Sequence, residues 1–186
     1  MQLITNYFEY MRNPEQALKN LIETPSFKGA CWGYLSAAVS WVVFFNVGDE
    51  LGVPAFLLKV LILLVAELTI GALIASLSSL FLSFRGKNIS SAQLFVLIGS
   101  AGYIKGLFIA FALISAAWPW ASLGMLAPLA MVLVFALQLS YLTLALRRVS
   151  QTPVSLGLIA WLFGFLPIGI LFMLPAVFFV WMILLL

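Results

Sequence analysis

Two ionisable side chains stand inside stretches that are otherwise apolar. Glu67 interrupts LLVAELTIGALIAS, Leu63 to Ser76, and Lys105 interrupts GSAGYIKGLF, Gly99 to Phe108. A carboxylate and an ammonium can form an ion pair or line a polar solute site. They could also carry a proton, provided Glu67 changes protonation state during a cycle. Little else in the chain suits chemistry. Histidine is absent, which removes the usual general base and metal ligand. Cys31 is the only cysteine, so an intramolecular disulfide and CxxC redox or zinc chemistry are excluded. There is no phosphate loop, no pair of catalytic carboxylates and no serine with a base partner. The basic residues form no continuous patch for nucleic acid. The expectation is a non-enzymatic protein with no cofactor, metal or nucleic-acid partner.

The elements that hold Glu67 and Lys105 follow from composition. Hydrophobic residues make up 65% of the 186 positions and charged residues 8%. A soluble domain needs roughly a quarter of its residues charged to cover its surface. The outer surface of this chain must therefore face lipid. Apolar runs of about 20 residues, enough to cross a bilayer, recur after Lys28. The predicted fold is all-α, a polytopic membrane helix bundle of five transmembrane helices. The spans are expected at residues 28–46, 54–84, 90–117, 121–146 and 154–186. Gly and Pro in NVGDELGVP, the RGKN turn with Ser90 as a cap, WPW and VSQTP mark the connections. The last run exceeds a ~30 Å core by about half, so it is expected to be tilted, kinked at Pro167 or Pro175, or folded back as a sixth span. Residues 1–27 are expected to form a cytoplasmic amphipathic segment, with no cleavable signal peptide expected. Within it, Asn13 caps a short helix and Pro14 takes its first position.

Charge placement orients the bundle. Arg12, Lys19, Lys28, Arg85, Lys87, Arg147 and Arg148 all fall on one side, and the connections near Asp49 and Trp118 contain no Lys or Arg. The positive-inside rule puts the N-terminus in the cytoplasm and, with five spans, the C-terminus outside.

Glu67 lies twenty residues before Lys87 and Lys105 eighteen after it. As an antiparallel hairpin, the second and third spans would bring the two within ~3 Å of the same depth. Alone, each charge would cost about 2.5–3.5 kcal/mol near a helix centre. Paired, they offset part of that cost, and the pair is either a structural lock or part of a site. Small residues agree: Gly71, Ala75 and Ser79 follow Glu67 at intervals of four, and Gly102, Gly106 and Ala110 repeat the pattern on the third span. Such stripes let helices approach closely in lipid, here the two hairpin legs or a second copy of the chain. Lys59 is expected to snorkel toward Asp49 and Glu50. Asn46, Gln138 and Ser140 suit either interhelical hydrogen bonds or a cavity lining, Pro128, Pro167 and Pro175 suit ordinary kinks or ion-coordinating helix breaks, and the aromatics of WVVFF suit packing or an interfacial belt.

The stretch RNPEQALKNLIETPSFKGACWGYL and the link RGKNISSAQLFVLIGSAGYIKGLF resemble the Yip1 family. The matching positions are Pro14, a Gly-basic turn at Gly86, a Ser-x-x-Gln segment at Ser90 and Gln93, and a Gly-Tyr pair at Gly102 and Tyr103. Five spans, a cytoplasmic N-terminus and a short C-terminal tail also match. The resemblance implies a short prokaryotic form in the inner membrane with no catalytic activity. Where family members often place a proline after the Gly-Tyr pair, this chain has Lys105 and Gly106. The Asp-Leu-Tyr-Gly-Pro type motif of eukaryotic members is missing, so Rab binding is not implied. Two functions follow as expectations. The first is a membrane-organising scaffold that binds the bilayer, a second copy, or a membrane or peripheral protein. The second is a small transporter or channel lined by Glu67 and Lys105.

Overall fold

The structure, a computed structural model, describes residues 27–118 and 123–185, with side chains described at 27–118, 126–148 and 151–170. Pro14 and the amphipathic segment before Phe27 lie outside the described residues. Every regular element among those described is helical: α1 Phe27–Phe45, α2 Val53–Phe84, α3 Ser91–Ala101, a 3-10 segment Gly102–Gly106, α4 Leu107–Ala117, α5 Leu123–Ser150 and α6 Val154–Leu185. Three stretches, Val53–Phe84, Ser91–Ala117 and Leu126–Arg148, are long and apolar enough to cross a membrane.

Local chemistry sets the ends. Pro54 sits in the first turn of α2 behind an extended Gly52, where its missing N–H is no loss. After Phe84 the chain turns through Gly86 at φ +73°, a left-handed conformation that favours glycine. Ser90 then opens α3 with a capping box: its hydroxyl accepts from the Gln93 N–H, and the Gln93 side chain accepts from the Ser90 N–H, both at 3.2 Å. One boundary differs from the sequence expectation. α5 runs past Arg147 and Arg148 to Ser150, because cations in a last turn complement the helix dipole. α6 is one continuous helix from Val154 to Leu185, and neither Pro167 nor Pro175 folds it back.

α1 is the hub. It packs on α2, α3, the 3-10 segment and α4, while α6 closes against α2 and α5. Its buried face consists mainly of small residues, Ala30, Gly33, Ala37, Ala38 and Ser40, with Tyr34 and Phe44 as the large ones. At its crossing with α3 the backbones touch: a Cβ on Gly33 would overlap the Gly99 carbonyl, and one on Gly102 would overlap the Gly33 carbonyl. Only glycine permits this approach.

That crossing corrects the expected pairing of small-residue faces. Gly71 lies under the Tyr34 ring of α1 and Gly102 under Gly33, so both stripes serve α1 rather than each other. Ala75 is buried and the Ser79 hydroxyl donates to Ile89 O at 2.7 Å, tying α2 to the turn before α3. All four positions are occupied within the protomer. Gly106 is buried, but Ala110 is exposed. The 3-10 segment takes Ala110 off the face that Gly102 presents. Each residue there turns ~20° further than in an α-helix, so its five residues rotate everything downstream by about 100°. A stripe counted at intervals of four does not survive that rotation.

The crossing makes a test. Gly102→Val should abolish a monodisperse, cooperatively melting protein in detergent, since the obstructing atoms are backbone. Ala110→Val should stay within about 0.5 kcal/mol of the parent. Thermal unfolding that ranks the two equally would contradict the packing.

Candidate functional site

The structure brings Glu67 and Lys105 together. Lys105 Nζ lies 2.6 Å from Glu67 Oε1 and 2.8 Å from Oε2, with the two side chains 9% and 14% exposed respectively. The 3-10 segment presents Lys105 while α2 presents Glu67. A third group completes the pair: Trp41 Nε1 on α1 donates to Glu67 Oε1 at 2.8 Å, and the Lys105 ammonium sits 5.8 Å from the centre of a Trp41 ring. The carboxylate thus accepts three charge-assisted hydrogen bonds, and the ammonium gains a cation–π contact. The charges neutralise each other and Trp41 satisfies part of what remains.

In the sequence Trp41 suits only packing or an aromatic belt, and its role becomes visible once the register of α1 against α2 is known. The Lys59 ammonium donates to Asn46 Oδ1, not to Asp49 or Glu50 as expected from proximity in sequence. Asn46 in turn donates from Nδ2 to Val42 O at 2.7 Å. Taking Asn46 and Lys59 as level, Trp41 lies five residues deeper on α1 and Glu67 eight residues deeper on α2. The difference is about 4.5 Å, well within reach of an indole.

The pair borders a partly open cavity of about 590 Å³. Its walls come from five of the helices: Trp41 and Phe45 of α1, Leu63, Ala66, Ile70, Gly71 and Ile74 of α2, Ile98 of α3, Phe135 and Gln138 of α5, and Phe165, Ile168 and Gly169 of α6. Of the three uncharged polar candidates, Gln138 is the one in this wall. It is 4% exposed, and its Oε1 has no hydrogen-bond partner among the described residues. Asn46 instead makes the interhelical bond above, and Ser140 is exposed.

Comparison of the chain with family models, curated proteins and solved structures returns no match. The described positions that carry the sequence resemblance have physical jobs of their own. Gly86 turns the chain, Ser90 and Gln93 cap α3, and Gly102 admits α1. Tyr103 donates its hydroxyl to Gly29 O at 3.3 Å.

Removing either charge leaves the other buried and unpaired, so Glu67→Ala or Lys105→Ala should each cost about 3–5 kcal/mol. Trp41→Phe should cost about 1.5–3 kcal/mol, the range for a hydrogen bond to a charged group. The double swap Glu67→Lys with Lys105→Glu should recover only part of the loss, because the indole N–H would then face an ammonium. Thermal unfolding in detergent is the measurement. A harmless single substitution at Glu67 or Lys105 contradicts the pairing.

Proposed function

We propose that the chain is a five-span, non-enzymatic membrane protein of the Yip1-like type that organises membrane or holds partner proteins. It would lie in the inner membrane of a prokaryotic cell, N-terminus cytoplasmic and C-terminus outside. One observation carries the non-catalytic part. The partly buried carboxylate of Glu67 has both oxygens engaged by Lys105, and one of them also by Trp41. A group so occupied is a lock between helices, not a free acid or base. Five spans are supported by the 19 residues of α1 and the 32 of α6 joining the three apolar stretches. The orientation is supported by the one-sided Lys and Arg distribution.

A small transporter is the second reading, and the cavity beside the pair is what favours it. Flux in proteoliposomes that disappears in Glu67→Gln would support transport and overturn the scaffold.

Topology has a direct test. In a Cys31→Ser background, Asp49→Cys should react with a membrane-impermeant maleimide in intact cells. Lys87→Cys and Arg148→Cys should react only after permeabilisation. The reverse pattern overturns the orientation, and labelling of Lys87→Cys and Arg148→Cys on opposite sides overturns the span count.

A further inference from the structure

We propose that the seam between α2 and α6, below Arg85, is a binding site for an anionic phospholipid. Arg85 would hold the phosphate, and an acyl chain would lie along Phe81 and Phe163. The inference rests on the membrane-embedded reading above, not on the orientation.

The cation is held in place. The Arg85 guanidinium carbon lies 5.7 Å from the centre of the Phe81 ring, a cation–π contact that fixes it over α2. Phe81 in turn meets Phe163 of α6, with ring centroids 5.3 Å apart. Stacking occupies one face of the guanidinium and leaves its edge N–H groups, the fork that binds phosphate bidentately. No carboxylate of the described residues reaches that fork. Asp49 and Glu50 precede α2 at its far end, and Glu67 is eighteen residues away, about 27 Å along the helix.

Below the cation runs an apolar track. Leu77 and Phe84 stand four residues before and three after Phe81, and Ile159 and Leu166 stand at the same offsets from Phe163, so each set shares a helix face. Phe84, Ile159, Phe163 and Leu166 are exposed. From Leu77 to Phe84 the track covers about 10.5 Å, most of the ~15 Å that one leaflet contributes to a ~30 Å core. Apolar exposure alone marks any surface that faces lipid. A fixed cation at the head of the track matches a phospholipid, and a free phosphate would leave the track unused.

Charge selects the anionic class. Leu82, Ile89 and Leu146 belong to one buried cluster, which puts Arg85 and Lys87 at the same end of the bundle as Arg147 and Arg148. The segment before Phe27 brings Glu9, Glu15 and Glu23 against Arg12 and Lys19, three negative charges less two positive. One net negative charge does not balance four cations. A phosphatidylcholine head group carries its own cation beside the phosphate and adds no net charge, whereas phosphatidylglycerol does. Basic residues at a membrane surface favour the latter.

The experiment uses the full chain in phosphatidylcholine nanodiscs and two probes at equal mole fraction. One is phosphatidylglycerol and the other phosphatidylcholine, each with the same mid-chain diazirine. Photolabelling of the α2–α6 track should be about tenfold stronger with the phosphatidylglycerol probe. Arg85 is exposed, so Arg85→Gln leaves the buried cluster intact and should bring that ratio to within about twofold. Lys28→Gln removes a charge on α1 instead and should leave the ratio unchanged. So should excess inorganic phosphate.

Equal labelling by the two probes overturns the proposal. So does a phosphatidylglycerol excess spread evenly over α4 and α5, or a loss in Lys28→Gln as large as in Arg85→Gln, since either means diffuse attraction. Loss of the preference in inorganic phosphate overturns the lipid as occupant. Protein that does not enter nanodiscs counts against the membrane reading. Protein that enters and labels equally with both probes counts against this site alone.

Discussion

A charge inside hydrocarbon must be neutralised and its remaining hydrogen-bonding capacity filled, or the helix that carries it does not insert stably. Here that requirement falls on one carboxylate, and meeting it organises three elements at a point. α2 brings Glu67, the 3-10 segment brings Lys105, and α1 brings Trp41. The three can converge only if α1 lies close to both partners. The glycine crossing of α1 with α3 and the bed that Gly71 makes for Tyr34 allow that approach. The small residues and the charges are thus parts of one solution. Thin backbone contacts draw the helices together, and the ion pair selects which helices they are.

The same logic accounts for the break in the α3–α4 helix. An unbroken α-helix could satisfy either the glycine contact at Gly102 or the later packing of α4, with little freedom to aim Lys105 between them. Five residues of 3-10 helix shift the azimuth of everything that follows while the chain continues upward without a loop. Gly102 and Gly106 bracket the segment, and the backbone there already runs against Gly33. Such a stretch within a helix is where an extra rotation costs least, because no side chain at either bracket has to be accommodated.

Much of this was legible from residue order. Helix positions followed from apolar runs punctuated by Pro54, Gly86 and Ser90, and the depth match of Glu67 with Lys105 followed from counting along a hairpin. What could not be read was which neighbour each face meets. Counting at intervals of four assumes a uniform helix, so the rotation at Gly102–Gly106 put Ala110 on the wrong side. Proximity in sequence tied Lys59 to Asp49 and Glu50, whereas its ammonium meets Asn46 at the end of α1. Trp41 was hidden for a related reason. An indole among valines and phenylalanines reads as packing until the register of α1 against α2 is known.

The ion pair is closed upon itself, so its polarity is spent on holding helices in place. Lys105 engages both oxygens of Glu67, and Trp41 takes one of them a second time. The cavity beside the pair is walled mostly by apolar side chains, among them Leu63, Ile70, Ile74 and Phe165. A charge pair that has consumed most of its own hydrogen-bonding capacity adds little polarity to that wall. The residues that looked most like chemistry in the sequence are thus the ones the fold uses to fix which helices meet.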